Sequence, residues 1–186
     1  MRAIVDVDGT LWDLHEVLLP ILHKYTNGQL PIELPKTWDF YEQFMSDKEF
    51  YQCVDEAHAQ QGDYEPFDGA KDLFKLFHDY NMEVIVASHR NQKFLEELTY
   101  WLHSRELRPI AGVYTGYAKK ELFRYGDIVI DDSPTTMRFA VSMGCKSLAI
   151  RWPWNVEIPG SLLFGDLPEM VRWLKVELGE EQNDED

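Results

Sequence analysis

The chain has 186 residues, 45% of them hydrophobic, and carries a formal charge of -15 from 18 Lys and Arg against 33 Asp and Glu. This is enough apolar material to bury one full core but short for two independent domains. The charge excludes duplex nucleic acid and anionic membrane as partners of any non-specific kind, because both are held through basic patches. Cys53 and Cys145 stand far apart with no Cys-x-x-Cys, so both read as buried free thiols rather than as a disulfide framework or zinc site. With no run near the roughly 18 apolar residues of a membrane span, a soluble cytoplasmic protein is expected.

The first twelve residues organise the rest. Ala3-Ile4-Val5 reads as a buried strand and runs into Asp6-Val7-Asp8-Gly9-Thr10-Leu11, placing two carboxylates at the strand's exit, where open parallel sheets keep their ligand crevice. The glycine lets the chain turn back toward whatever those carboxylates hold. Asp13 and Glu16 have capping spacing, and Val17, Leu18, Ile21, Leu22 and Tyr25 share a helical face in which Pro20 is expected to produce a bend. Residues 26–37, with Asn27-Gly28 and prolines at 31 and 35, read as an irregular loop.

Trp38, Phe40, Tyr41, Phe44, Phe50 and Tyr51 form an aromatic cluster, and Ser46 with Glu49 is spaced as a capping box for a helix running toward His58. The block from Asp13 to about Glu65 therefore reads as helical and as an insertion after the first strand. Asp68 and Gly69 open a helix through Leu73, Phe74 and Phe77, followed by the strand Glu83 to Ala87, which ends in Ser88-His89-Arg90. A helix over 91–104 is predicted to bury Phe94, Leu95, Leu98 and Leu102; then come a strand over 112–115 and a short helical piece from Lys119-Lys120. Ile128-Val129-Ile130 ends in Asp131-Asp132-Ser133-Pro134, repeating the opening design, with the proline placed for the first turn of a helix to Met143. A strand over 147–150 and a last helix announced by Asp166, Pro168 and Glu169 complete the pattern, and residues 179–186, rich in acids, read as a disordered tail.

Alternating apolar strands and helices predict a doubly wound, mostly parallel α/β sheet. Core residues are 1–13 and 66–178, and a helical cap occupies 14–65. In such a sheet the strand exits share one edge, which brings together Asp6, Asp8, Ser88, Asp131 and Asp132 with the lysines just upstream. Carboxylates, a hydroxyl and an ammonium converging there suit an oxygen-ligated Mg²⁺ and a phosphoryl group.

These motifs, Asp-Val-Asp-Gly-Thr, Ser88, a lysine near 119 and Ile-Asp-Asp-Ser, resemble those of the haloacid dehalogenase (HAD) superfamily, whose core is Rossmann-like. The helical insertion after the first strand, the Ile130-Asp131-Asp132 ending and Arg151-Trp152-Pro153-Trp154-Asn155 are similar to the cytosolic type C 5'(3')-deoxyribonucleotidase group and its bacterial and phage relatives. The resemblance implies a Mg²⁺-dependent phosphomonoester hydrolase with Asp6 as nucleophile and Asp8 as acid and base. It implies that Asp6, Asp131, Asp132 and the Asp8 main-chain carbonyl hold the metal. Ser88 and a lysine would bind the phosphoryl oxygens, with Thr10 and His89 beside them. The spacing back from Asp131 is met by Lys120, and the helix start favours Lys119, the preferred candidate.

The implied substrate is a small phosphorylated molecule, a nucleoside monophosphate in first place and a sugar phosphate or other metabolite in second. A binding module that has kept the fold without turnover is the rival of another class. Trp38 and Phe40 are the candidates for contact with a base, since rings are sequence-tolerant stacking platforms, although a small cap also needs an aromatic core of its own. His89 and Arg90 face either solvent or a substrate phosphate, and the Trp152 and Trp154 pair is expected to pack under the sheet's edge. The sequence leaves the oligomeric state open.

Overall fold

A computed structural model describes residues 1–109, 111–116 and 119–179, so the acidic tail beyond Gly179 lies outside the described residues. Among the described residues six strands form one sheet: β1 (Arg2–Val5), β2 (Glu83–Ser88), β3 (Gly112–Thr115), β4 (Ile128–Ile130), β5 (Lys146–Ile150) and β6 (Ser161–Phe164). Their order is β3-β2-β1-β4-β5-β6 and every pairing is parallel. Central strands buried on both faces must be apolar throughout, and Ala3, Ile4, Val5, Ile128, Val129 and Ile130 are all buried. The chain builds outward from β1 to β3, then crosses back and builds outward again from β4. The order thus reverses between β1 and β4, the place where such sheets open a ligand crevice.

The helices are α1 (Leu14–Tyr25), α2 (Asp47–His58), α3 (Ala70–Asp79), α4 (Leu95–Ser104), α5 (Pro134–Ser142) and α6 (Leu167–Leu178). Asp13 caps α1 by accepting from the His15 and Glu16 amides, and Ser46 and Glu49 form the reciprocal box on α2. α1 runs unbroken across Pro20. Residues 26–46 carry turns rather than helix. α1 and α2 pack on each other, and Leu18, Leu22, Cys53 and Ala57 join one apolar cluster with the sheet residues Val5 and Val86.

Two local expectations change. β6 was not expected: it is a four-residue edge strand directly after Pro159-Gly160, too short to give a periodic signal, and is fixed only by pairing with β5. The helix expected over 91–104 starts with a 3₁₀ turn, Gln92–Phe94, and its buried face includes Trp101 while Leu95 is exposed, because the turn shifts the helical phase. Gly69 opens α3 as expected, occupying its N-cap at φ +83°, where a Cβ would meet the backbone nitrogen of Pro168 at 2.8 Å. A glycine is required for α3 to approach the start of α6 this closely.

Candidate active site

The crevice at the reversal point is built by the segments that leave β1 and β4. Asp6 follows β1 and donates its amide to the Ile130 carbonyl at 2.8 Å, which locks the two strand exits side by side. Asp131 accepts from the Ser133 amide at 2.9 Å, a turn that fixes its carboxylate before α5 begins. Gly9 has φ +70°, and a Cβ there would come within 2.8 Å of the Asp132 carboxyl carbon. The glycine is therefore needed both for the turn and for Asp132 to stand against it.

Asp6, Asp131 and Asp132 are all buried and each offers an oxygen within 4.8 Å of the others. Lys119, at the start of a 3₁₀ segment (Lys119–Tyr125), places its Nζ 2.7 Å from both Asp6 and Asp131. Lys120 points elsewhere, with its Nζ 5.7 Å from the centre of the Phe139 ring, so the structure brings the first of the two lysines to the carboxylates.

The electrostatics follow from this crowding. Burial pushes the Asp6 carboxyl up to about 8, against the pull of Lys119 and with the repulsion of Asp131 and Asp8 added. Burial also holds Asp132 well above the usual carboxylate range, reinforced by Asp6 and Asp131. Lys119 is raised despite its burial, because Asp131 and Asp6 both favour its charged form. One ammonium thus faces three buried carboxyls. Oxygen donors with excess negative charge at this spacing fit a hard divalent cation.

Asp8 has the opposite surroundings. Its Oδ1 accepts from Trp12 Nε1 at 2.9 Å and Arg90 Nη2 at 2.7 Å, and its Oδ2 accepts from Ser88 Oγ at 3.0 Å, with His58 Nε2 at 3.2 Å. Burial alone would raise this carboxyl, but Arg90 and His58 outweigh it and hold the group well below the usual range. Arg90 is 3% exposed, hydrogen-bonded to Asp8, Ser88 and Gln61, and borders the cavity over these groups. His58 and Gln61 escaped the sequence reading because they lie some fifty residues from Asp8 and carry no local motif. The burial of Ala57-His58 at the end of α2 is visible only once the helix is docked.

A cavity of about 140 Å³ opens over these groups, lined by Asp6, Asp8, Lys119, Asp131, Asp132 and His89 at its floor. Ser88 and Thr10 are buried and do not line it. Burial, with Lys119 and Lys120 nearby, lowers His89 to about 3, so its ring is neutral. Trp38 and Phe40 both line the wall, Trp38 being 43% exposed. Phe40 packs edge-on against Tyr41 and Phe50, which stack at 3.7 Å.

Trp154, expected beneath the sheet edge, also lines this wall. It stacks at 5.1 Å on Trp152, lies 4.6 Å from the His15 ring and 6.4 Å from Trp38. The loop after β5 is drawn inward because Trp152 Nε1 donates to the Gly9 carbonyl. Asn155 accepts from the Trp152 amide and donates to the Ile150 and Asp132 carbonyls.

The fold that these observations define is that of the HAD-superfamily hydrolases. A hydrolase from Pseudomonas syringae superposes with a TM-score of 0.67 at 15% identity, covering 94% of this chain and 98% of that one. A HAD family hydrolase from Deinococcus radiodurans R1, with bound phosphate and sodium, gives 0.66 at 14%, covering 96% of each chain. CbbY from Rhodobacter sphaeroides, in complex with phosphate, gives 0.62 at 15%, covering 91% and 95%. No protein-family model and no curated protein sequence matches the chain.

Proposed function

We propose that this protein is a Mg²⁺-dependent phosphomonoester hydrolase acting through an aspartyl-phosphate, with a nucleoside 5'-monophosphate as substrate. The observation that carries the reading is Lys119 Nζ, 2.7 Å from both Asp6 and Asp131 at the reversal point of the sheet. It provides a fixed positive charge beside a carboxylate nucleophile, where transferred phosphoryl oxygens need stabilisation.

Asp6 attacks phosphorus, the bond from phosphorus to the leaving oxygen breaks, and water later cleaves the acyl phosphate, splitting one hard displacement into two. Asp8 supplies the proton to the leaving oxygen and takes one from that water. It is ionised at rest, the form that serves the second step, and the proton it passes to the leaving oxygen in the first is the one a phosphate monoanion brings into the site. Lys119 and His89, both lining the cavity, meet the phosphoryl oxygens; Ser88 reaches them only by releasing Asp8, and Thr10 supports the turn from inside. Asp6, Asp131 and Asp132, with the Asp8 main-chain carbonyl, would hold Mg²⁺. When bound, the ion reduces repulsion between the carboxylate nucleophile and an anionic phosphate.

In this reading residues 14–65 act as a cap over the core of 1–13 and 66–178, and Trp38 and Phe40 offer faces to a base. The second reading is a sugar phosphate, favoured by a neighbour of the same fold, CbbY, whose mutant was crystallised with xylulose-1,5-bisphosphate. Assay of purified protein with Mg²⁺ against a panel of nucleoside monophosphates, sugar phosphates and p-nitrophenyl phosphate tests both. Nucleotides are expected to lead, a leading sugar phosphate replaces the substrate, and inertness toward all of them overturns the phosphatase.

A further inference from the structure

Arg90 has its guanidinium in the interior, where a charge without partners is costly. Each of its three nitrogens donates to a different group: Nε to Ser88 Oγ at 3.1 Å, Nη1 to Gln61 Oε1 at 2.5 Å and Nη2 to Asp8 Oδ1 at 2.7 Å. Gln61 is itself 2% exposed and belongs to the 3₁₀ turn Gln61–Asp63, a few residues beyond α2. From the same direction His58, the last residue of α2, brings Nε2 to 3.2 Å from Asp8 Oδ2 without hydrogen-bond alignment. The Asp8 carboxylate therefore accepts three hydrogen bonds, from Trp12, Arg90 and Ser88, and one of its about four acceptor sites, on Oδ2, is left for a proton. Its rotamer is dictated by its neighbours.

We infer that Arg90, aligned by Gln61, is a positioning residue for Asp8: it fixes the carboxylate in the orientation from which proton exchange with the leaving oxygen and with water takes place. This inference rests on the phosphatase reading above. A lysine in place of Arg90 keeps the charge but cannot bridge three acceptors in one plane. Gln61 acts one step further out, since its oxygen orients the guanidinium and touches nothing that reacts. A purely structural ion pair would share these contacts but would have no reason to discriminate between leaving groups.

The test is kcat/KM of wild type, Arg90→Lys and Gln61→Met for two esters with Mg²⁺, together with melting temperature. An alkyl phosphate needs a proton on its leaving oxygen, whereas p-nitrophenyl phosphate releases a stable phenolate. General acid catalysis is worth about 10² to 10⁴-fold, so Arg90→Lys is expected to lower kcat/KM for the alkyl ester at least about tenfold more than for the nitrophenyl ester. Gln61→Met should shift the same ratio in the same direction by less, which keeps the test open if Arg90→Lys does not fold. Equal losses for the two esters in both variants, or a rise in KM with kcat unchanged, would overturn the positioning role and leave the phosphatase standing. Wild-type protein inert toward both esters would overturn the phosphatase and this inference with it.

Discussion

Asp6 and Asp8 sit two residues apart on one strand exit, and their carboxyls are displaced in opposite directions from the ordinary range, Asp6 upward by burial and Asp8 downward by its neighbours. Asp6 is buried beside Asp131 and Asp8, whose repulsion adds to the burial, and together these exceed the pull of Lys119, while Asp8 faces Arg90 and His58. Asp6→Asn keeps volume and strand geometry while removing the proposed nucleophile, so turnover should vanish with the far-ultraviolet circular dichroism unchanged; retained activity would overturn the proposed mechanism. The same variant isolates a pH effect in metal-free protein. A carboxyl at about 8 when folded and near 3.8 when unfolded binds its proton more tightly in the folded state, so its contribution to stability is complete below about pH 4 and is lost as pH rises through 8. The melting temperature of wild type relative to Asp6→Asn should therefore fall between pH 5 and 8.5, and a flat difference would contradict the assigned surroundings of Asp6. Mg²⁺ should restore stability at the alkaline end by binding only the folded form. Ca²⁺, which takes more ligands at longer distances, should fail to support turnover after EDTA treatment.

At the scale of elements, the turn between β1 and α1 and the start of α2 set the site's shape. Gly9→Ala would force a Cβ toward the Asp132 carboxyl at φ +70°. It is expected to weaken Mg²⁺ stabilisation, read as a smaller rise in melting temperature on adding the ion, as well as to strain the backbone by about 1 kcal/mol. Ser46→Ala removes one half of a capping box and should cost about 0.5 to 2 kcal/mol, measurable by denaturant titration. These elements were legible in the sequence because each has a local cause: caps, a Pro-led helix start and apolar β-branched runs. β6 and the phase of α4 were not, since an edge strand of four residues and a 3₁₀ turn owe their form to what they pack against. The same division applies to the site. Asp6, Asp131, Asp132 and Lys119 end strands or start segments and could be placed by topology, as could Arg90 after β2, whereas His58 reaches Asp8, and Gln61 reaches Arg90, only through the docking of α2 and the turn that follows it.

Over the whole molecule, with a net charge of -15, the proposed anionic ester would have to enter a cavity floored by carboxylates, and the only ammonium touching them among the described residues is Lys119. Long-range steering works against the substrate, so specificity has to come from contacts inside the cavity. Its wall supplies them in the form of rings contributed by distant parts of the chain, Trp38 and Phe40 before α2 and Trp154 after β5. Lys119→Ala should depress hydrolysis of nucleotide and of a small artificial ester alike, since both present the same phosphoryl group. Trp38 is exposed on the wall and touches Trp154 ring to ring rather than filling the interior. If it stacks on a base, Trp38→Ala should forfeit about 1 to 3 kcal/mol of nucleotide binding, seen as a raised KM, while leaving hydrolysis of p-nitrophenyl phosphate nearly unchanged. Equal loss toward both esters with a lowered melting temperature would instead assign the ring to the wall's own packing, and the nucleotide would lose its place as the proposed substrate.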